Sequence, residues 1–409
     1  MKFSLLLLLS VFSWTTAAPV DGPIVDGALD YTDRQCGTTY KYLWLDIVFV
    51  VDNSVGMGKA QLASIAADIE TVMTGTNIGI DATNPRTSRV GIVTYNANAT
   101  TVADLNTFKS LADLQHQMEN NQPKISNEEI SYLATGLEKA EEIFDNGYTS
   151  SRDVVRKVVV IYASTYDNDG NNYPKPVAER LKTDDVAIIT VAYSQRGQEK
   201  LLDQLGENIA SPGYGFGSQQ SDSKPDGTLV DKIQNAFMQI NCFCPNGWTS
   251  YRQVYGDQST TKFGVCLKPV VLVSNWIGAK TSCHFQWDNG YLVNEYSLHK
   301  HNYTLNLVKN TPAFAHPYQY HIGLSYYQGN WYWEQPMGNN GIKVQLDKYS
   351  GWTPGNPTLD STKVAAMNSE NADLTAGWQN IQRDTVKQYY VCEVNSCDTD
   401  NYCATVDNN

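Results

Sequence analysis

The chain has 409 residues and a formal charge of −13, with nine Trp and 25 Tyr. Such an excess of carboxylates repels phosphate backbones and anionic bilayers, which bind clustered Lys and Arg, so nucleic acid is not expected as a partner. The length exceeds the about 100 to 200 residues that one hydrophobic core usually serves, and two domains are expected.

At the head of the chain Lys2 precedes the apolar run Leu5 to Leu9, extended through Phe12, and then the small residues Thr15-Thr16-Ala17-Ala18. This is the pattern of a secretory signal peptide. Pro19 is a poor residue just after a cut, so cleavage is expected after Ala17, with residues 1–17 as the signal segment. The run falls short of the about 20 apolar residues that span a bilayer. No other segment comes closer, and the polar, acidic stretch Asn401 to Asn409 lacks the features of a lipid-anchor signal. A secreted, extracellular protein without a membrane span is expected.

Cysteines occur at 36, 242, 244, 266, 283, 392, 397 and 403. An even count in a secreted chain reads as four disulfides, although eight cysteines permit about 105 pairings. Cys36 and Cys242 bracket one long cysteine-free stretch while the other six crowd the C-terminal part. That spacing favours Cys36–Cys242, Cys244–Cys266, Cys283–Cys392 and Cys397–Cys403, each worth about 2 to 4 kcal/mol. Cys242-Phe243-Cys244 is tighter than usual zinc spacing and is not read as a metal site.

Residues 36–243 alternate strands and helices. Leu43 to Val51 is almost continuously apolar and β-branched, as a strand buried on both faces of a parallel sheet should be. In Lys59 to Thr74, Leu62, Ile65, Ile69 and Met73 recur at helical spacing. Strand Arg89 to Tyr95, helices near Lys109 to Glu119 and Ile130 to Phe144, and strand Lys157 to Tyr162 follow. Helix Lys175 to Lys182, strand Val186 to Tyr193, and helices Gln198 to Leu205 and Leu229 to Gln239 complete an α/β sandwich. In such folds ligands meet the carboxyl ends of the strands, and here the first strand ends in Asp52-Asn53-Ser54-Val55-Gly56.

That loop resembles the metal-site loop of von Willebrand factor A domains, Asp-x-Ser-x-Ser at the same place, and the resemblance extends over the whole module and its terminal disulfide. It implies a Rossmann-like, doubly wound α/β domain. The family's magnesium is held by the loop's Asp and two Ser, by a Thr from a second loop, and by an Asp ending a later strand. Here Asp52 and Ser54 are kept and Ser131 aligns with the Thr, but Gly56 replaces the second Ser and the late Asp aligns with Ala163. Magnesium needs hard oxygens in an octahedral array and gives up its water reluctantly, so the site is expected to be degenerate. Asp52 and Ser54 then hydrogen-bond their own loop. Asp167-Asn168-Asp169-Gly170 offers carboxylates for another cation but reads as a surface turn.

From Cys244 the composition turns to Trp, Tyr, Asn and Gly. Cys244-Pro245-Asn246-Gly247-Trp248 is followed by Trp276, Ala279 and Cys283, then by Gly290-Tyr291-Leu292-Val293, His321-Ile322-Gly323-Leu324 and Trp331-Tyr332-Trp333. Trp352-Thr353-Pro354-Gly355-Asn356-Pro357 and Tyr389-Tyr390-Val391-Cys392-Glu393 close the series. In this order and spacing residues 244–393 resemble a C-type lectin-like domain of the long form, an α+β fold, with 394–409 as a tail carrying a small disulfide loop. The resemblance implies that Trp331 and Trp333 pack in the core, where indole area must be buried.

Sugar-binding members of that family hold calcium through Glu-Pro-Asn or Gln-Pro-Asp and Trp-Asn-Asp. Calcium takes six to eight oxygens, mostly charged. The corresponding triplets here are Asn356-Pro357-Thr358 and Trp378-Gln379-Asn380, without a carboxylate, although Glu370 or Asp360 is a candidate to help. Any Mg or Ca in either module is therefore expected to bind weakly. The family's inner disulfide falls near Val364 and Arg383, and both halves are missing together, which leaves the long loop with fewer ties.

No zinc-protease, Gly-x-Ser-x-Gly or phosphate-loop motif occurs, and the chain is not expected to be an enzyme. His299 and His301 are placed on one face of a strand and lack a third ligand. Asn98-Ala99-Thr100 and Asn302-Tyr303-Thr304 are glycosylation sequons, as in a glycoprotein. The expected function is recognition or adhesion: binding of glycans or of extracellular and microbial surface proteins, as in innate immunity at epithelial surfaces. The alternative is a structural component of extracellular matrix, with the A-type module as an assembly surface.

Overall fold

A computed structural model describes residues 34–81, 83–166, 172–193, 200–218, 227–334, 344–346, 349–371 and 375–407. The expected signal segment and Asp167 to Gly170 lie outside the described residues. The first module is built from β1 (Leu45–Asp52), α1 (Lys59–Met73), β2 (Arg89–Tyr95), β3 (Ala99–Ala103), α2 (Leu111–Asn120) and α3 (Leu133–Asn146). Then come β4 (Arg156–Ala163), α4 (Lys175–Thr183), β5 (Val186–Ala192), α5 (Leu201–Asn208), β6 (Gly215–Gly217) and α6 (Leu229–Ile240).

The sheet runs β3-β2-β1-β4-β5-β6, parallel throughout except for the antiparallel edge strand β3. Every residue of β1 is buried because helices cover both faces. Ile47, Phe49 and Val51 pack with Leu62, Ile65 and Phe237 of α1 and α6. Val48 and Val50 face Leu137, Leu181 and Leu205 of α3, α4 and α5. Local chemistry fixes the helix starts: the Ser110 hydroxyl accepts from Asp113 N, and Thr228 and Asp231 form a capping box. One helix start differs from expectation, and the edge strands β3 and β6 were not expected. α3 begins at Leu133 rather than Ile130, because Ser126 and Tyr132 donate backbone bonds to Asn53 and Asn96 and so belong to the loops at the strand ends. α5 is Leu201–Asn208, and the Gln198 start expected for it lies outside the described residues.

The second module contains β7 (Thr249–Arg252), β8 (Lys262–Asn275), α7 (Trp276–Gln286), β9 (Tyr291–Leu292), α8 (Leu298–Lys309), β10 (Tyr320–Tyr327) and β11 (Asn330–Trp333). It ends with β12 (Val344–Gln345), β13 (Ala365–Glu370), β14 (Ala376–Ile381) and β15 (Lys387–Asn395). Its main sheet runs β12-β11-β10-β15-β8-β7, with the β13–β14 hairpin attached to β10 and β9 attached to β15. Trp333 and Trp378, both nearly inaccessible, sit edge to face at 5.3 Å in the core, while Trp331 is only partly buried.

Four disulfides join Cys36 to Cys242, Cys244 to Cys266, Cys283 to Cys392 and Cys397 to Cys403, the pairs that the spacing favours. The last closes a loop that is no loose tail. The Trp44 indole, at the entry to β1, donates to Asp398 O at 3.0 Å and lies between Phe243 and Tyr402, at 5.3 and 4.8 Å. Arg34 pairs with the Asp398 carboxylate through both terminal guanidinium nitrogens. Trp44, Phe243, Cys397 and Cys403 thus form a small shared core that clasps the C-terminal disulfide loop onto the first module.

Candidate functional site

Asp52 ends β1 with its side chain fully buried, and both of its oxygens are occupied. Oδ1 accepts from Ser54 N at 2.9 Å, while Oδ2 accepts from Ser164 N at 3.1 Å and Ser164 Oγ at 2.5 Å. The residue that meets Asp52 from β4 is thus Ser164, not Ala163 as aligned from sequence. Ala163 is the last residue of the buried strand, and the chain turns its next side chain into the pocket. Ser131 comes from the loop before α3 and is buried beside Tyr95. Burial, and then the nearby Asp52 charge, push the Tyr95 phenol well above its ordinary pKa, and neither its hydroxyl nor Ser131 Oγ has a hydrogen-bond partner among the described residues. The Ser54 hydroxyl is buried and has no hydrogen-bond partner among the described residues.

The sequence-derived residues Asp52, Ser54 and Ser131 therefore do converge, but they supply one carboxylate. The magnesium that the fold family implies does not fit this set. A serine hydroxyl donating at 2.5 Å places a proton where a cation would have to stand, and magnesium requires short, octahedral oxygen contacts. Gly56 contributes no side-chain oxygen, and a β-carbon there would lie 3.3 Å from Ser164 Oγ.

In the lectin-like module the long loop is held from within. The Asn380 side chain accepts from Thr358 N at 2.8 Å and Thr358 Oγ1 at 3.2 Å, and it donates to Thr358 O at 3.1 Å and Lys363 O at 3.2 Å. An amide has two donor hydrogens and one acceptor oxygen, so this side chain is fully used. Asn356 donates to Thr353 Oγ1 at 3.0 Å. Gln379 alternates on β14 with Trp378 and Asn380 and so points to the opposite face. The calcium that the fold implies finds no carboxylate in either triplet; the candidate helper Asp360 accepts from Thr362 N at 2.9 Å and Thr362 Oγ1 at 2.7 Å, and the oxygens of Asn380 and Thr358 are bonded to each other's residues.

Glu370 does not assist this loop, in contrast to the sequence expectation. Asn380 stands opposite Ala366 and Glu370 opposite Ala376, so Glu370 lies four residues away, about 13 Å along the hairpin. Its buried carboxylate pairs instead with Lys309 at 2.5 Å. The two histidines placed on a strand lie on α8, where residues two apart point to different sides. His299 bonds the Tyr251 hydroxyl, whereas His301 Nδ1 meets Glu295 Oε2 at 2.7 Å. Burial lowers the His301 pKa, but the Glu295 charge and hydrogen bond outweigh it, and the net shift is upward. Glu295 also accepts from Trp378 Nε1 at 2.6 Å and Tyr320 OH at 3.0 Å. Sequence reasoning missed this buried network because Glu295 has no motif around it. It also missed Ser164, which its position just beyond the apolar run of β4 marks. The sequon residues Asn98 and Asn302 are both exposed, the latter on α8.

Residues 46–232 match the family model of the von Willebrand factor type A domain, and residues 273–394 match that of the lectin C-type domain. C-type lectin domain-containing protein 160 of Caenorhabditis elegans is 29% identical over 413 residues, covering 96% of this chain, and the chain spans 60% of that protein's length. Among solved structures, mussel byssus proximal thread matrix protein 1 gives a TM-score of 0.36 at 21% identity, covering 50% of this chain and 46% of that one. The C-type lectin CEL-I of Cucumaria echinata gives 0.28 at 20% identity, covering 37% of this chain and 96% of its own. The chain carries a von Willebrand factor type A domain followed by a C-type lectin domain.

Proposed function

We propose that this chain is a secreted, non-enzymatic adhesion protein that holds glycans or surface proteins, microbial ones included, without a divalent ion, in innate defence at epithelial surfaces. The observation that carries this reading is the pair of closed sites: Ser164 occupies the Asp52 carboxylate, and Asn380 spends its amide on Thr358 and Lys363. Four disulfides suit an oxidising compartment. Among the described residues no helix is long and apolar enough to cross a membrane, and no three His, Cys, Asp or Glu gather as a group that could hold a metal ion. Retention on glycan arrays and on microbial cells, measured in calcium plus magnesium and again in EDTA, tests the reading. Equal retention in both supports it. Loss in EDTA would overturn the metal-free mechanism, and no retention in either would overturn recognition of these ligands.

A second reading, assembly into extracellular matrix, draws on the consecutive β8 residues Val271, Leu272 and Val273, which are 50 to 60% exposed. Concentration-dependent oligomers in light scattering favour it, and a strict monomer counts against it.

A further inference from the structure

We infer a second ligand site, for a neutral or N-acetylated saccharide, in the cleft between the end of α7 and the C-terminal disulfide loop. The inference rests on the glycan-recognition reading and moves the sugar away from the long loop. The cleft has a volume of about 530 Å³, within the range of about 300–1,000 Å³ for small-ligand pockets. Asn395 at its edge lies six residues along β15 from Tyr389, where β10 and the long-loop hairpin join, or about 20 Å.

The lining has the chemistry of a polyhydroxylated ring. Phe285, Trp287 and Tyr402 supply aromatic surface, and Phe285 at the mouth is 80% exposed. Asp288, Asn289 and Asn395 also line the cleft, and their side chains make no hydrogen bond among the described residues. The two amides and the Trp287 indole offer donors, and the carboxylate and amide oxygens offer acceptors. An ammonium ligand carries no acceptor and would leave those donors unmatched. An anion would face Asp288 and Asp407. Hydroxyls both donate and accept, and the C–H faces of a pyranose match the rings, so a saccharide uses the whole set.

Both walls are fixed before any ligand arrives. Cys283–Cys392 ties α7 to β15, and Cys397–Cys403 closes the opposite loop. Asn246 anchors the loop's far end, donating from Nδ2 to Asp407 Oδ1 at 2.7 Å and from its backbone N to Val406 O at 2.8 Å. A pre-organised cleft loses little ordering entropy on binding.

The test uses the full chain on a printed array of neutral and N-acetylated oligosaccharides in EDTA, with Phe285→Ala, Asp288→Ala and Leu359→Arg variants. Phe285, Asp288 and Leu359 are all exposed, so each variant leaves the core intact. The expected result is a loss of about tenfold for each cleft variant, equivalent to about 1.4 kcal/mol, with little change for Leu359→Arg on the long loop. Loss in Leu359→Arg with the cleft variants unchanged would overturn the cleft and leave glycan recognition standing. Absence of retention by the unsubstituted chain would overturn both.

Discussion

Replacing Ser164 by Asp and Gly56 by Ser, singly and together, tests whether hydrogen bonds have displaced the metal at the end of β1. Ser164 Oγ lies 2.5 Å from Asp52 Oδ2, so Ser164→Asp sets two buried carboxylates side by side. Without a cation, repulsion at about 4 Å costs up to about 4 kcal/mol, less what protonation of one carboxyl relieves. Loss of the charge-assisted bond costs a further 1.5–3 kcal/mol or so. Gly56→Ser sets a β-carbon 3.3 Å from Ser164 Oγ, a tight contact to which that side chain must yield slightly, and 3.6 Å from Ser54 Oγ. The double variant should therefore be unstable in EDTA and recover in excess magnesium or manganese. A metal present at about a hundred times its Kd returns about 2.7 kcal/mol, which for a domain of this size raises Tm by roughly 5–10 °C. Scanning fluorimetry of the A-type module's transition reads this directly. A rise of the same size in the unsubstituted chain would refute the reasoning, because Asp52 would then still accept an ion. A double variant that ignores metal would refute it equally.

Two further outcomes follow from the lectin module. His321 is fully buried, with Nε2 at 2.9 Å from Ser274 O, and burial lowers its pKa to about 4. Since the unfolded imidazole titrates near 6.5, protons bind the unfolded chain first, and stability should fall by about 1.4 kcal/mol per pH unit from about 6.5 down to about 4. In His321→Gln this slope should be absent from urea-unfolding curves measured across that range, and an unchanged slope would count against the assignment. Asn380→Ala removes four hydrogen bonds from the long loop, at a cost of about 2–4 kcal/mol. Limited proteolysis should then cut between residues 356 and 363, and protection equal to that of the unsubstituted chain would show that other contacts hold the loop.

The elements read well from sequence are those whose side chains are committed to a core. β1 is apolar at almost every position because both its faces are covered, and α1 and α6 show one apolar stripe each. The edge strands β3 and β6 escaped notice. β3 is largely exposed and β6 is three residues long, so neither carries an apolar pattern. Misplacing the histidines had a different cause: alternation at His299 and His301 looks like a strand, whereas the buried set His301, Thr304, Leu305 and Val308 has helical spacing. The missing carboxylates were legible as residue types. What replaced them was not, because Ser164 and Asp52 are 112 positions apart and Asn380 and Thr358 are 22 apart. Asn380 in particular looked like a remnant of a calcium ligand, whereas its amide ties down the loop that lacks the family's inner disulfide.

The Trp44 clasp has a mechanical consequence. Arg34 and Asp398 are 364 positions apart yet paired, and the indole between Phe243 and Tyr402 carries the same joint. Tension applied between residues 34 and 407 therefore loads this seam before it reaches either sheet. A pull on the C-terminal loop is thus met by the first module through these aromatic contacts.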